Sequence, residues 1–292
     1  PADERKHRTV WAAYMIGRSY VETDPARAER WLAQARKDAA AEAFTDSTGL
    51  AAASWGWTGR AALNQRRYRD AIAAYLAHHH TGDRTAANSL IRTVAQALKD
   101  KDADLQALAR DAQSRAIVTA YLVSHGPRSW ADHSEPGMHK RWSAALAEAK
   151  ITDARGADRL AWAAYMADDL NATRRWLDVA DRQAPMTLWL KAKLSMRAGR
   201  LEQAAELLAD AADAFDQRTA WETRWYHRGF RGAREVFSPP AEVLGELGAV
   251  RLRLDRYAPA LDAFLRSGVY HEDAMYVAER VLSVDELKQY VD

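Results

Sequence analysis

The sequence has 292 residues, 48% of them hydrophobic and 28% charged, proportions that belong to a folded chain and not to a disordered one. Its 42 Lys and Arg face 40 Asp and Glu, a formal charge of +2, so no global field selects nucleic acid or an anionic membrane and any electrostatic preference is local. With no cysteine, disulfides, thiolate catalysis and cysteine-held metals are excluded, and no apolar run reaches the roughly 18 residues of a membrane-spanning helix.

Taken in order, residues 9–20 predict a first helix carrying Trp11, Tyr14, Met15 and Ile16. Asp24-Pro25 starts its partner, because proline is accepted in a first helical turn, and Trp31 and Leu32 face back from it. Thr45-Asp46-Ser47-Thr48 interrupts an alanine-rich stretch as a loop and N-cap before Leu50. A helical hairpin over 55–78 follows and ends at His78-His79-His80, with a turn at Thr81-Gly82-Asp83. Three successive histidines invite a metal reading, but helical neighbours point about 100° apart, so the favoured account is a helix end whose partial charge suits the dipole.

Residues 85–98 and 105–124 predict two further helices, joined by a solvated connection at Lys99-Asp100-Lys101-Asp102. Their expected core is Leu90, Ile91, Val94 and Leu98, then Ile117, Val118, Tyr121 and Leu122. The least regular stretch is 125–140, broken by Gly126-Pro127 and Pro136-Gly137 and read as an insertion loop. Within 125–139 it gathers His125, Asp132, His133, Glu135 and His139, a concentration of acid/base groups without a recognised ligand spacing, for which a polar surface loop is the ordinary account.

Trp142, Leu146 and Ile151 belong to a connecting helix, and 160–180 resumes paired helices with Trp162, Tyr165, Trp176 and Leu177. Pro185 opens a hairpin whose clearest part, 188–211, has apolar residues at helical spacing on both sides of Ala198-Gly199-Arg200. Beyond it, 218–235 interleaves aromatics with Arg224, Arg228, Arg231 and Arg234. That pattern suits stacking on single-stranded bases, but Trp221, Trp225 and Phe230 at spacings of four and five read more simply as a helical core stripe with a wet arginine side. Ser238-Pro239-Pro240 resets the chain before a last hairpin at 244–267, and Ser283-Val284-Asp285-Glu286 has capping-box spacing for a final helix. Most of the eleven tryptophans are expected to serve packing.

The hairpins share one spacing. Trp55, Gly59, Tyr68, Ala71 and Tyr75 place a large then a small residue in the first helix and an aromatic, a small and a large residue in the second. Leu244, Leu247, Gly248, Tyr257, Ala260 and Phe264 repeat it, as do Leu188, Ala192, Gly199, Leu201, Ala204 and Leu208. Small residues let two helix backbones touch while large ones fill the flanks. A first copy with Gly17, Tyr20, Ala28 and Leu32 is one residue short, and 154–185 fits with a compressed turn. In these residues the chain resembles tetratricopeptide repeats. The fold class expected is all-α, a single right-handed α-solenoid of TPR-like hairpins over 1–292. The start at Pro1, without a signal-like apolar core, suggests a piece of a longer chain.

Such a resemblance implies a concave surface lined by the first helix of each pair, where a peptide or protein partner docks. Registering the copies places Arg18, Arg60 and Lys193 at one position, with Asn64, Arg197 and Arg253 one turn further on. The expected function is a non-catalytic interaction scaffold whose locally basic face holds an acidic segment or a C-terminal carboxylate through bidentate arginines. The lysine and paired asparagines of the family's carboxylate clamp are missing at matching places. No catalytic residue, metal site or cofactor is expected. The alternatives are a hydrolytic or cell-wall enzyme, or its helical module, using the 125–139 loop, and a nucleic-acid binder using 218–235. A bacterial periplasm or cell envelope is favoured over the cytoplasm.

Overall fold

A computed structural model describes residues 2–41, 43–124, 137–152, 155–216, 221–224 and 234–292. The chain divides into two compact units: 1–122 with 134–152, and 123–133 with 153–292.

The first unit holds α1 (Ala2–Tyr20), α2 (Pro25–Ala39), α3 (Leu50–Asn64), α4 (Tyr68–His80), α5 (Thr85–Lys99), α6 (Leu105–Arg110), most of α7 (Ala112–Ser124) and α8 (Gly137–Glu148). Adjacent helices pack as pairs, α1 on α2 and α3 on α4, with α2 on α3 and α4 on α5 joining them in series. Asp24 caps α2 by accepting the Arg27 N–H at 3.0 Å, and Pro25 occupies the first turn. Asp46 accepts from the N–H groups of both Leu50 and Ala51 (2.8 and 2.9 Å), so this carboxylate fills the positive end of α3. The core between the first helices is built from Val10, Ala13, Tyr14, Ala28, Leu32 and Ala35.

Two expectations in this unit are corrected. The helix predicted over 105–124 is interrupted: Asp111 is extended at φ −76, ψ 113, and its carboxylate caps the next helix at the Ser114 N–H, 2.8 Å away. An aspartate caps a helix start better than it continues an interior, which is why the periodicity ran on while the backbone did not. Ile91 is 40% exposed and not core, whereas Leu90, Val94 and Leu98 are buried.

The second unit holds α9 (Ala157–Met166), α10 (Leu170–Val179), α11 (Pro185–Arg197), α12 (Leu201–Ala214), α13 (Pro239–Arg253), α14 (Tyr257–Ser267), α15 (His271–Tyr276), a π-helical turn (Val277–Val281) and α16 (Val284–Val291). Here too α9 packs on α10, α11 on α12 and α13 on α14, with α9 on α11 and α12 on α13 between pairs. Ser238 caps α13, and Ser283 with Glu286 forms the expected capping box on α16.

Between α12 and α13 the backbone forms two antiparallel strands, β1 (Trp221–Arg224) and β2 (Arg234–Phe237), with Trp221 opposite Phe237 and Arg224 opposite Arg234. The helical stripe expected over 218–235 is therefore overturned at both ends. Trp, Thr, Val and Phe favour a pleated backbone, and that preference prevails over a spacing of four and five that happened to suit a helix. Residues 225–233, with Arg228 and Arg231, lie outside the described residues.

Four hairpins share one turn. Between α3 and α4, α9 and α10, α11 and α12, and α13 and α14 the linkers are 65–67, 167–169, 198–200 and 254–256. In each the middle residue is left-handed: Arg66 at φ 57, Asp168 at 58, Gly199 at 72 and Asp255 at 57. In each, too, the third N–H reaches a carbonyl five residues back: Arg67 to Ala62, Asp169 to Ala164, Arg200 to Ser195 and Arg256 to Arg251, at 2.9–3.0 Å. This double closure satisfies the last helical carbonyls. The turn expected to be compressed in 154–185 has the same length and geometry as the others.

The small-to-large contact is present as well. A Cβ built on Gly59 would lie 2.8 Å from the Tyr75 ring and one on Gly248 2.5 Å from the Phe264 ring, each partner sixteen residues on. Ala192 and Leu208, at the same spacing, are both fully buried. Gly17 meets Leu32, fifteen residues on, which is the short first copy.

Candidate functional site

In the first unit, α1 and α3 carry the candidate face. Trp11, Met15 and Arg18 follow at spacings of four and three, so they share one side of α1. Trp11 and Met15 are 54% and 38% exposed. Trp11 thus stands outside the packing role expected of most of the tryptophans, which Trp142, Trp162, Trp176 and Trp189 fill as buried residues. The Arg18 guanidinium lies 4.8 Å from the Trp57 ring centroid, and Trp57 Nε1 donates to the Tyr14 hydroxyl at 2.8 Å, which ties α3 to α1.

At the far end of this face stands a carboxylate that the sequence reading did not count. Glu22, in the turn after α1, pairs with Arg60 at 3.4 Å and accepts from Asn64 Nδ2 at 2.8 Å. Arg60 and Glu22 are both largely in solvent, so this pair is weak and exchangeable. The face thus runs from an aromatic and thioether end to an end where charges of both signs meet. Beside Trp11 a cleft of about 320 Å³ is lined also by His7, Arg8, Thr45 and Thr48.

In the second unit the nominated cations have different surroundings. Lys193 Nζ lies 2.5 Å from Glu246 Oε1, with both side chains mostly buried, and 5.8 and 4.9 Å from the ring centroids of Trp162 and Trp189. Glu246 also accepts from Trp189 Nε1 at 2.8 Å. This network joins α9, α11 and α13, and its cation is already neutralised. Arg197 reaches Asp168 at 3.5 Å on the surface, and Arg253 is exposed with no polar partner among the described residues. The six nominated residues thus comprise Arg18, Arg60 and Asn64 gathered on one face, Lys193 inside an aromatic network, and Arg197 and Arg253 on the exposed surface.

His78 is buried on α4 with Nε2 3.2 Å from Asp83, while His79 and His80 are exposed. The Asp83 carboxyl is held below its ordinary value chiefly by the hydrogen bond from the Thr85 hydroxyl and by the Thr85 N–H. Among the described residues no three metal-ligating side chains cluster. Of the acid/base candidates in 125–139, His125, Asp132, His133 and Glu135 lie outside the described residues. His139 does not sit on a loop: it is buried in α8, with Nε2 3.3 Å from the Leu122 carbonyl. The insertion expected to run to 140 therefore stops short of Gly137, where α8 begins.

No family model matches the chain, and no match is found among curated proteins. No described helix is long and apolar enough to cross a membrane.

Sequence reasoning missed Glu22 and Glu246, the carboxylates that decide how basic each face is. Glu22 sits in a turn and Glu246 on a helix 53 residues from its lysine, so neither spacing carries a signal. It also passed over Arg36, a half-buried cation on α2 that stacks 3.8 Å above the Trp55 ring centroid.

Proposed function

We propose that the chain is a tetratricopeptide-like, right-handed array of helical pairs that serves as a non-catalytic scaffold for a protein or peptide partner. The observation that carries this reading is the stripe of Trp11, Met15 and Arg18 on α1, solvent-exposed and continued on α3 by Trp57 and Arg60. Tryptophan, methionine and arginine are the residue types that dominate the centres of protein interfaces, because each brings large contact area with little or adaptable ordering cost. An extended or helical peptide with an apolar anchor at the Trp11 end and an acidic residue near Arg18 and Arg60 matches the face in both chemistry and order. An acidic residue there competes with Glu22 for Arg60, an exchange between two solvated ion pairs.

The test is selection of peptides from a random display library against the whole chain, followed by measurement of the enriched sequences on variants. Enriched peptides are expected to bind at micromolar affinity, to combine an aromatic or aliphatic anchor with acidic residues, and to lose at least tenfold in affinity on Trp11→Ala and on Arg60→Glu. Amide exchange in the complex should slow in α1 and α3. A selection with no enrichment above background, or enriched peptides indifferent to both substitutions, overturns the reading.

A further inference from the structure

Several cations of the two units are paired with carboxylates. Arg60 has Glu22, Arg66 has Asp100 and Asp102, Arg67 has Glu29 and Asp70, Lys193 has Glu246, and Arg256 has Glu202. In the cleft of about 720 Å³ the two arginines, Arg251 and Arg256, are outnumbered by the carboxylates of Asp255, Asp262 and Glu286. Arg36 stands apart. It is half-buried, it lies on the Trp55 ring, and no carboxylate comes within ion-pairing distance of it among the described residues.

How Arg36 is held decides what it can still do. Its Nη1 donates to the hydroxyls of Ser54 and Thr58, at 2.8 and 3.1 Å. Those hydroxyls spend their own protons on the carbonyls of Ala51 and Ser54, so they face the guanidinium as fixed acceptors. The Trp55 ring fixes the plane from one side. What remains is the side-on edge, where Nε–H and one Nη2–H point the same way, and neither has an acceptor among the described residues. That edge is the half of the guanidinium whose two parallel N–H groups match a carboxylate bidentately. Burial holds the group below its ordinary pKa, as befits a charge desolvated without a counter-ion, yet an arginine remains a cation at any physiological pH.

We propose that Arg36, clamped by Ser54, Thr58 and the Trp55 ring between α2 and α3, is the receptor for a carboxylate of an acidic side chain on the bound partner. This rests on the scaffold reading above and adds to it a second contact, separate from the residues of α1 and from Arg60. A desolvated guanidinium that is oriented before binding loses little freedom when it takes up an anion, so the contact gains both strength and direction.

The experiment uses the full chain labelled with nitrogen-15. The Nε–Hε signal of Arg36, identified by its loss in Arg36→Lys, is followed during titration with an amidated acetyl-hexaglutamate peptide, with inorganic phosphate, and with sodium chloride at matched ionic strength. A saturable shift with the peptide that sodium chloride does not reproduce is expected, together with at least tenfold weaker binding of fluorescent peptide to Arg36→Gln and to Arg36→Lys, which keeps charge but loses the fork. Trp55→Leu, which retains the arginine, should weaken binding as well and serves as the decisive variant if Arg36→Gln loses its helical circular dichroism. A non-saturating shift, a shift matched by sodium chloride, saturation by phosphate without saturation by peptide, or equal affinity of the wild type and Arg36→Gln each overturns the assignment. Peptide binding that survives Arg36→Gln removes this site and leaves the scaffold reading standing; that reading falls only by the display selection on Trp11 and Arg60.

Discussion

Lys193 on α11 and Glu246 on α13 meet at 2.5 Å, with the ammonium also facing the rings of Trp162 and Trp189. The side chains are only 14% and 17% exposed, so each charge depends on the other for most of what water would supply. Glu246→Gln keeps an acceptor for Trp189 Nε1 and removes only the charge, and it should lower the unfolding free energy by about 3 kcal/mol. Lys193→Met should cost a comparable amount, and the double variant should cost less than the two together, because no uncompensated charge is left. Urea denaturation of the four proteins measures this; strict additivity would show that the two groups do not interact.

The close contacts Gly59 to Tyr75 and Gly248 to Phe264 set the distance between paired helices. Alanine is the better helix former by about 1 kcal/mol, so on propensity alone Gly→Ala should stabilise. Here the added methyl would lie 2.8 Å from Tyr75 and 2.5 Å from Phe264, and both rings are buried at positions where they cannot swing away. Overpacking of this kind costs about 1–3 kcal/mol. Gly248→Ala should lower the melting temperature more than Gly59→Ala, in line with the shorter distance. A rise in either variant would mean that the helices are not seated on these glycines.

The shared turn yields a prediction of opposite sign. Asp168 occupies at φ 58 the place that Gly199 fills at φ 72 in the next hairpin. A side chain in the left-handed region costs about 1–2 kcal/mol that glycine avoids, offset in part by the added freedom of glycine in the unfolded chain. The Asp168 carboxylate is 76% exposed and its pairing with Arg197 spans 3.5 Å, so little is lost with it. Asp168→Gly should therefore raise stability by about 0.5–1 kcal/mol, read as an upward shift of the urea midpoint. Gly199→Ala should move the midpoint down.

These turns also show where the sequence was readable and where it was not. Helical pairs, the Asp24 cap, the Ser283 capping box and the contacts of Gly59 and Gly248 follow from spacing, because each is local or is repeated at a fixed interval. The hairpin between α9 and α10 was expected to need a compressed turn, yet Asp168 takes the left-handed position there as Arg66 and Asp255 do in theirs. The strand pair at Trp221–Arg224 was hidden for a different reason: its partner Arg234–Phe237 lies across an intervening stretch, and pairing leaves no periodicity in either half. The candidate face was legible as positions and not as charges. Arg18 and Arg60 share a side by register alone, but Glu22 and Glu246 decide which cations are balanced, and Arg36 gains its setting from Ser54 and Thr58, 18 and 22 residues away.

Tyr68 and Asp100 tie α4 to the end of α5 through a hydrogen bond of 2.6 Å from phenol to carboxylate, and both titrations should report it. Burial, with the bond to Asp100 and its negative charge, pushes the Tyr68 phenol up to about 12 from 10.0. The same bond, helped by the Asp102 N–H, holds the Asp100 carboxyl below its ordinary 3.8. For a phenol whose folded pKa is raised, the stabilisation is complete below pH 10 and disappears as the pH climbs through about 12. For a carboxyl whose folded pKa is depressed, it is present above the ordinary value and is lost as the pH falls through the lowered one. The difference between the phenolate absorbance titrations of the wild type and Tyr68→Phe should isolate a group ionising near 12. The stability gap between wild type and Tyr68→Phe should be widest at neutral pH and narrow at both extremes. A phenol that titrates at 10 in the difference curve would show that Tyr68 and Asp100 are not bonded in solution.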